Sequence, residues 1–88
     1  MKLMRQALAG SLESSDVQVN VAPSESTTIE IQSIVAAQFE DAILKTVEEV
    51  LKEFNVTAAA VRLEDRGALD CTIRARVETA LLRAAKEG

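Results

Sequence analysis

The chain has 88 residues, 48% of them hydrophobic, a formal net charge of −4 and no histidine. That is enough for one modest core in a single domain spanning residues 1–88, and it is a folding rather than a disordered composition. It argues against nucleic acid, whose phosphates are held mainly by clustered Lys and Arg, and it rules out Ser-His-Asp and Cys-His catalysis and histidine metal sites.

With Phe39 and Phe54 as the only aromatics, the core has to be built from Val, Ile, Leu and Ala. Cys71 is the sole cysteine, so no intrachain disulfide can form. No apolar run is long enough to span a membrane, and Met1-Lys2-Leu3-Met4-Arg5 is not followed by the apolar stretch of a signal peptide. A cytoplasmic chain with no membrane partner is expected.

In chain order, Leu8, Gly10 and Leu12 alternate with Ala7, Ala9 and Ser11; then comes the polar run Glu13-Ser14-Ser15-Asp16. Alternation resumes at Val17, Val19 and Val21, the pattern of a hairpin, and Pro23 stops the second strand because it offers no amide hydrogen. Thr27 to Gln32 read as a third strand, with Thr28, Ile29 and Ile31 suited to a pleated surface.

The period changes at Ser33. Val35, Phe39, Ala42, Ile43, Val47, Val50, Leu51 and Phe54 recur every three or four residues, predicting a helix from Ser33, its N-cap, to Phe54, with Asn55 as a left-handed stop. Residues 57–64 alternate again, and Asp65-Arg66-Gly67 reads as a turn. Ile73, Val77, Ala80, Leu81 and Ala84 predict a last helix capped by Asp70, although Ile73, Ala75 and Val77 also alternate as a strand would. The order β-β-β-α-β-α implies an α+β domain: a small, mainly antiparallel sheet with two helices on one face.

Chemistry-bearing residues are few. Gly10, Gly67 and Gly88 are too scattered to cradle a phosphate, and a small aliphatic domain leaves little room for a catalytic pocket, so the chain is expected to be no enzyme by itself. Cys71 reads as a small buried apolar residue; the alternative is a reactive thiol at a helix start. Residues 66–88 carry 5 basic and 3 acidic side chains, against 5 and 11 in residues 1–65. Arg74, Arg76 and Arg83 are expected at the surface or at subunit contacts, with phosphate binding as the alternative. Glu13-Ser14-Ser15-Asp16 is ordinary turn chemistry, or else an exposed hydroxyl accessible to a modifying enzyme.

Two stretches carry a resemblance. Ala9-Gly10-Ser11-Leu12-Glu13-Ser14-Ser15-Asp16-Val17 is similar to the modification site of the citrate lyase acyl carrier proteins, the gamma subunits. Asp65-Arg66-Gly67-Ala68-Leu69-Asp70-Cys71-Thr72-Ile73-Arg74-Ala75-Arg76-Val77-Glu78 resembles their C-terminal signature. Gln38-Phe39-Glu40-Asp41-Ala42-Ile43 and Phe54-Asn55-Val56 fall at matching distances between them. One position departs: where the family usually has glycine, this chain has Ser15.

The resemblance implies a carrier subunit bearing phosphoribosyl-dephospho-coenzyme A, joined through a phosphodiester to Ser14. This arm would hold acetyl and citryl thioesters during citrate cleavage to oxaloacetate and acetate. The implied partners are the citrate lyase alpha and beta subunits, a prosthetic-group transferase and an acetylating ligase. Carriers of citramalate lyase or malonate decarboxylase, and a small adaptor domain with no covalent group, are the competing readings. Between the two adjacent serines, the family motif points to Ser14. If the two side chains alternate as in a strand, their hydroxyls face opposite ways and an enzyme reaches only one.

Overall fold

The computed structural model describes residues 1–34 and 36–86, so the expected helical position Val35 and the terminal Gly88 lie outside the described residues. Its elements are β1 (Ala7–Gly10), β2 (Val17–Pro23), β3 (Thr28–Ser33), α1 (Ala36–Glu53), β4 (Ala59–Asp65) and α2 (Asp70–Ala85). The strands form one sheet in the order β1-β2-β4-β3. β1–β2 and β2–β4 are antiparallel and β3–β4 is parallel, with α1 as the crossover that a parallel pair requires. This is the expected α+β arrangement.

The odd-numbered residues of the strands face the helices. Ala9, Val17, Val19, Val21, Ala59, Val61 and Leu63 are buried there, with Ile29 and Ile31 packed at the β3 edge. The register sets Val19 opposite Leu63 and Ala9 opposite Val19, so each inward row is continuous across strands. The helices close this layer with Ile43, Val47, Val50 and Leu51 from α1 and Ile73, Val77, Ala80, Leu81 and Ala84 from α2. Each fully buried Val, Leu or Ile contributes about 1.5–3 kcal/mol, and the buried core is aliphatic, with Phe54 partly buried against it. Phe39 stands apart from that core, half exposed at the start of α1. Among the described residues no helix is long and apolar enough to cross a membrane.

Three local expectations are corrected. Ser33 is the last residue of β3 rather than a helix cap: it pairs with Asp65 in the parallel ladder and its hydroxyl donates to the Asp65 carboxylate at 2.8 Å. Asp70 is the first residue of α2, and Leu69 occupies the cap position with no side-chain bond. The carbonyl of Leu69 instead accepts the amides of Thr72 and Ile73, both at 3.0 Å. Cys71 is exposed, not buried, because the inward stripe of α2 begins at Ile73. Asn55, at φ +54°, is the left-handed residue that ends α1 as expected.

Candidate functional site

β1 and β2 are joined by residues 11–16. Gly10, at φ +86°, turns the chain out of β1, and a Cβ there would lie 1.8 Å from the Val17 carbonyl oxygen and 3.2 Å from Cδ of Arg76. No side chain fits that space. The Glu13 carbonyl accepts the Asp16 amide at 3.1 Å, closing a four-residue turn with Ser14 and Ser15 at its corners. Only the second corner has positive φ, Ser15 at +64°, which is the requirement of a type II turn. Glycine meets that requirement without strain, while serine costs about 1 kcal/mol.

The turn is fastened on two sides. On the sheet side, the Ser15 amide donates to the Arg66 carbonyl and the Arg66 amide to the Asp16 carbonyl, each at 2.8 Å. On the helix side, Arg76 of α2 grips the Asp16 carboxylate with two donors, Nε to Oδ1 at 3.1 Å and Nη2 to Oδ2 at 3.2 Å. The same carboxylate accepts the Ser11 hydroxyl at 2.7 Å and the Val17 amide at 2.7 Å. These donors, Ser11 foremost, then the Val17 amide and Arg76, lower the Asp16 carboxyl from the ordinary 3.8 to about 2. Asp16 is therefore ionised throughout the neutral range.

Ser14 is exposed at the first corner, and its hydroxyl takes part in none of the hydrogen bonds among the described residues. Ser15 is exposed as well. The two serines are not in a strand, so strand alternation does not separate them. They differ instead in backbone: Ser15 is the left-handed residue with a bound amide, and Ser14 is the corner before it.

The second resembling stretch packs beside this turn. Asp65, 3% exposed, accepts the Ser33 hydroxyl at 2.8 Å and the Ala68 amide at 2.9 Å, which holds the loop from Arg66 to Leu69 in place. Next to that loop an open groove of about 540 Å³ runs between the starts of α1 and α2, lined by Phe39, Ala42, Ile43, Ala68, Leu69 and Ile73. Phe39 is 50% and Leu69 71% exposed. The groove is larger than so small an aliphatic chain leads one to expect. Its floor is apolar, and both Asp65 oxygens near it are already engaged.

The arginines of the basic segment have partners within the chain. Arg74 pairs with Glu53 and, at 3.3 Å, with Glu78; Arg83 donates to the Leu8 carbonyl at 2.8 Å. The role of Arg76 is the one sequence reasoning missed. Sixty residues separate it from Asp16, and no local pattern connects them. Among the described residues no group of three His, Cys, Asp or Glu side chains could hold a metal ion.

A family model described as the malonate decarboxylase delta subunit matches residues 4–84. A citrate lyase acyl carrier protein of Haemophilus influenzae (strain PittEE) is 56% identical over 87 residues, covering 99% of this chain and 92% of that protein. One from Treponema denticola is 51% identical over 84 residues, 96% of this chain and 97% of that protein. Among solved structures, a chain of a Pseudomonas malonate decarboxylase hetero-tetramer in complex with malonate has the same fold. Its TM-score is 0.63 at 18% identity, over 92% of this chain and 84% of that one.

Proposed function

The chain belongs to the citrate lyase acyl carrier protein family, and on that premise we propose that it is the carrier subunit of a citrate lyase complex, with phosphoribosyl-dephospho-coenzyme A attached at Ser14. The observation that carries this reading is the turn itself: an exposed serine hydroxyl without a partner among the described residues, on a backbone held from both sides. Such a hydroxyl fits a group joined by a phosphodiester, since no side chain has to move for a modifying enzyme to reach it. When bound, the group supplies a thiol on which an acyl group is held as a thioester. The protein's share is to anchor that arm and to present it at one end of a rigid layer. Tethering keeps the acyl group at high effective concentration near successive active sites.

In this reading the whole chain acts as one carrier domain in the cytoplasm. It serves the alpha and beta subunits and is loaded by a prosthetic-group transferase and an acetylating ligase. It catalyses nothing alone and serves as a carrier. The malonate decarboxylase reading draws on the family model and the shared fold, but sequence identity above 50% favours citrate lyase.

The test is co-expression with the transferase and the enzyme that makes its activated donor, followed by intact mass and peptide mapping. The expected result is one adduct of the arm's mass on the peptide containing Ser14, lost in Ser14→Ala and kept in Ser15→Ala. Adduct on Ser14→Ala would overturn the assignment of Ser14, and an unmodified wild-type chain would overturn the carrier reading.

A further inference from the structure

We infer that Asp16 and Arg76 are positioning residues for arm attachment: together with Ser11 they fix the backbone around Ser14 while leaving its hydroxyl free to react. The inference rests on the reading of Ser14 as the acceptor, and it adds a role for a residue in the distant helix α2.

A chain of hydrogen bonds runs outward from α2 to the turn. Arg76 holds both oxygens of Asp16. One of those oxygens accepts the Ser11 hydroxyl, and the Ser11 oxygen in turn accepts the Glu13 amide at 3.2 Å. Glu13 immediately precedes Ser14. On the other side, the amide of Ser15 is bound to the Arg66 carbonyl. Both backbone neighbours of Ser14 are thus tied, one through a side-chain relay to α2 and the other through the sheet. A plain connection between strands does not need this. Residues 24–27, the shorter connection from β2 to β3, are held among the described side-chain bonds by Thr27 alone, whose hydroxyl donates to the Thr57 carbonyl at 2.9 Å.

Fixing an acceptor in advance lowers the entropy lost on reaching the reactive geometry, and a misplacement of about 1 Å can cost on the order of 100-fold in rate. The Arg76–Asp16 pair is partly buried, and its loss frees the turn without emptying the core. Arg76→Gln is expected to lower kcat for arm transfer about tenfold, with little change in the KM for the carrier. Asp16→Asn should do much the same. The double variant should be no slower than the slower single one, because the two residues act through one another. Arg76→Lys, which keeps the charge but loses the two-pronged grip, should fall between wild type and Arg76→Gln.

The experiment is transfer kinetics by intact mass, using the transferase and its activated donor. Alongside it, amide hydrogen exchange on the unmodified variants should show faster exchange at Glu13 and Ser15, with Val19 and Leu63 unchanged. Wild-type kcat in Arg76→Gln, an effect confined to KM, or additive losses in the double variant would each overturn the inference. If Arg76→Gln fails to fold, Asp16→Asn decides by the same criteria. Wild-type adduct at a residue other than Ser14 would refute the acceptor assignment instead, and the exchange measurements keep that failure separate from this one.

Discussion

At the end of the sheet that bears Ser14, carboxylates collect loose donors; at the opposite end, amides from the N-terminal segment reach loose carbonyls. β1, β3 and β4 finish at the serine end and both helices start there. Helix starts leave amides without partners and carry the positive end of the helix dipole. Asp65 takes the Ala68 amide just before α2, and Asp16 takes Arg76, Ser11 and the Val17 amide. At the far end α1 and α2 finish, so the surplus is of carbonyl oxygens. Ala84 accepts the amides of Met4 and Arg5 at 2.8 and 3.1 Å, and Asn55 accepts the terminal ammonium of Met1 at 3.0 Å. The difference teaches that the two ends are satisfied by different means, the serine end by acidic side chains that collect several donors each. The far end is satisfied mostly by backbone, so its side chains are less constrained.

The strongest way to break this contrast is at Gly10. Gly10→Ala should destabilise the fold by about 3 kcal/mol, since the added methyl meets backbone rather than a movable side chain and the residue keeps a left-handed conformation. Gly67→Ala, also left-handed but with Cδ1 of Ile34 4.0 Å away as the nearest atom, should cost about 1–2 kcal/mol. Urea denaturation of both variants checks the order, and equal losses would contradict it.

Asp65→Ala comes next. It removes the carboxylate that accepts the Ala68 amide and holds the loop before α2, at an expected cost of about 2 kcal/mol. The same denaturation curves apply, and a loss below about 0.5 kcal/mol would mean that the serine end does not depend on this carboxylate.

A smaller effect compares the two left-handed residues that are not glycine among the described residues. Ser15→Gly should stabilise by about 0.5 kcal/mol, whereas Asn55→Gly at the far end should be near neutral, because Asn tolerates φ > 0 better than Ser. Thermal melts of the pair test this, and a larger gain at Asn55 would reverse the ranking.

The smallest effect is on pH dependence. Asp16 has its folded carboxyl lowered to about 2 from 3.8, so its contribution to stability is fully present above the unfolded value and is lost as pH falls through the folded one. Carboxyl titration followed by NMR should place the Asp16 midpoint near 2 in the wild type. In Arg76→Gln it should rise only part of the way to 3.8, because Ser11 and the Val17 amide still donate. An unchanged midpoint would show that Arg76 adds nothing there.

Periodicity made much of the fold legible before any coordinates. The alternation of Val17, Val19 and Val21 and the three-and-four spacing from Ile43 to Leu51 both report burial directly, and both were met. What periodicity misplaced were the boundaries. Ser33 looks like a cap because it precedes a helical pattern, but the parallel ladder with β4 extends through it, and a nonlocal pairing leaves no local mark. Cys71 was misread on composition: free cysteine is usually buried, yet this one falls on the outer face of α2. For the site, the exposed turn at Ser14 could be seen in the polar run between two alternating stretches. The Asp16–Arg76 pair could not, since a contact across sixty residues depends on tertiary placement and an arginine on a helix face reads as solvated.

The hydrogen bonds between the turn and Arg66 also bear on when the turn around Ser14 is completed. Arg66 follows Ser15 by 51 positions, and Arg76 lies ten further on. The β1–β2 pairing is local and can form early, but the paired amides of Ser15 and Arg66 close a long loop and must wait for β4 to dock. On the proposed reading, Ser14 is therefore synthesised early and becomes a finished acceptor late. Pulse-labelled exchange during refolding should show the Ser15 amide gaining protection with the β4 amides rather than with the first hairpin. A transferase that requires the closed turn would then leave nascent and misfolded chains unloaded, so the arm itself would mark the molecules that have completed folding.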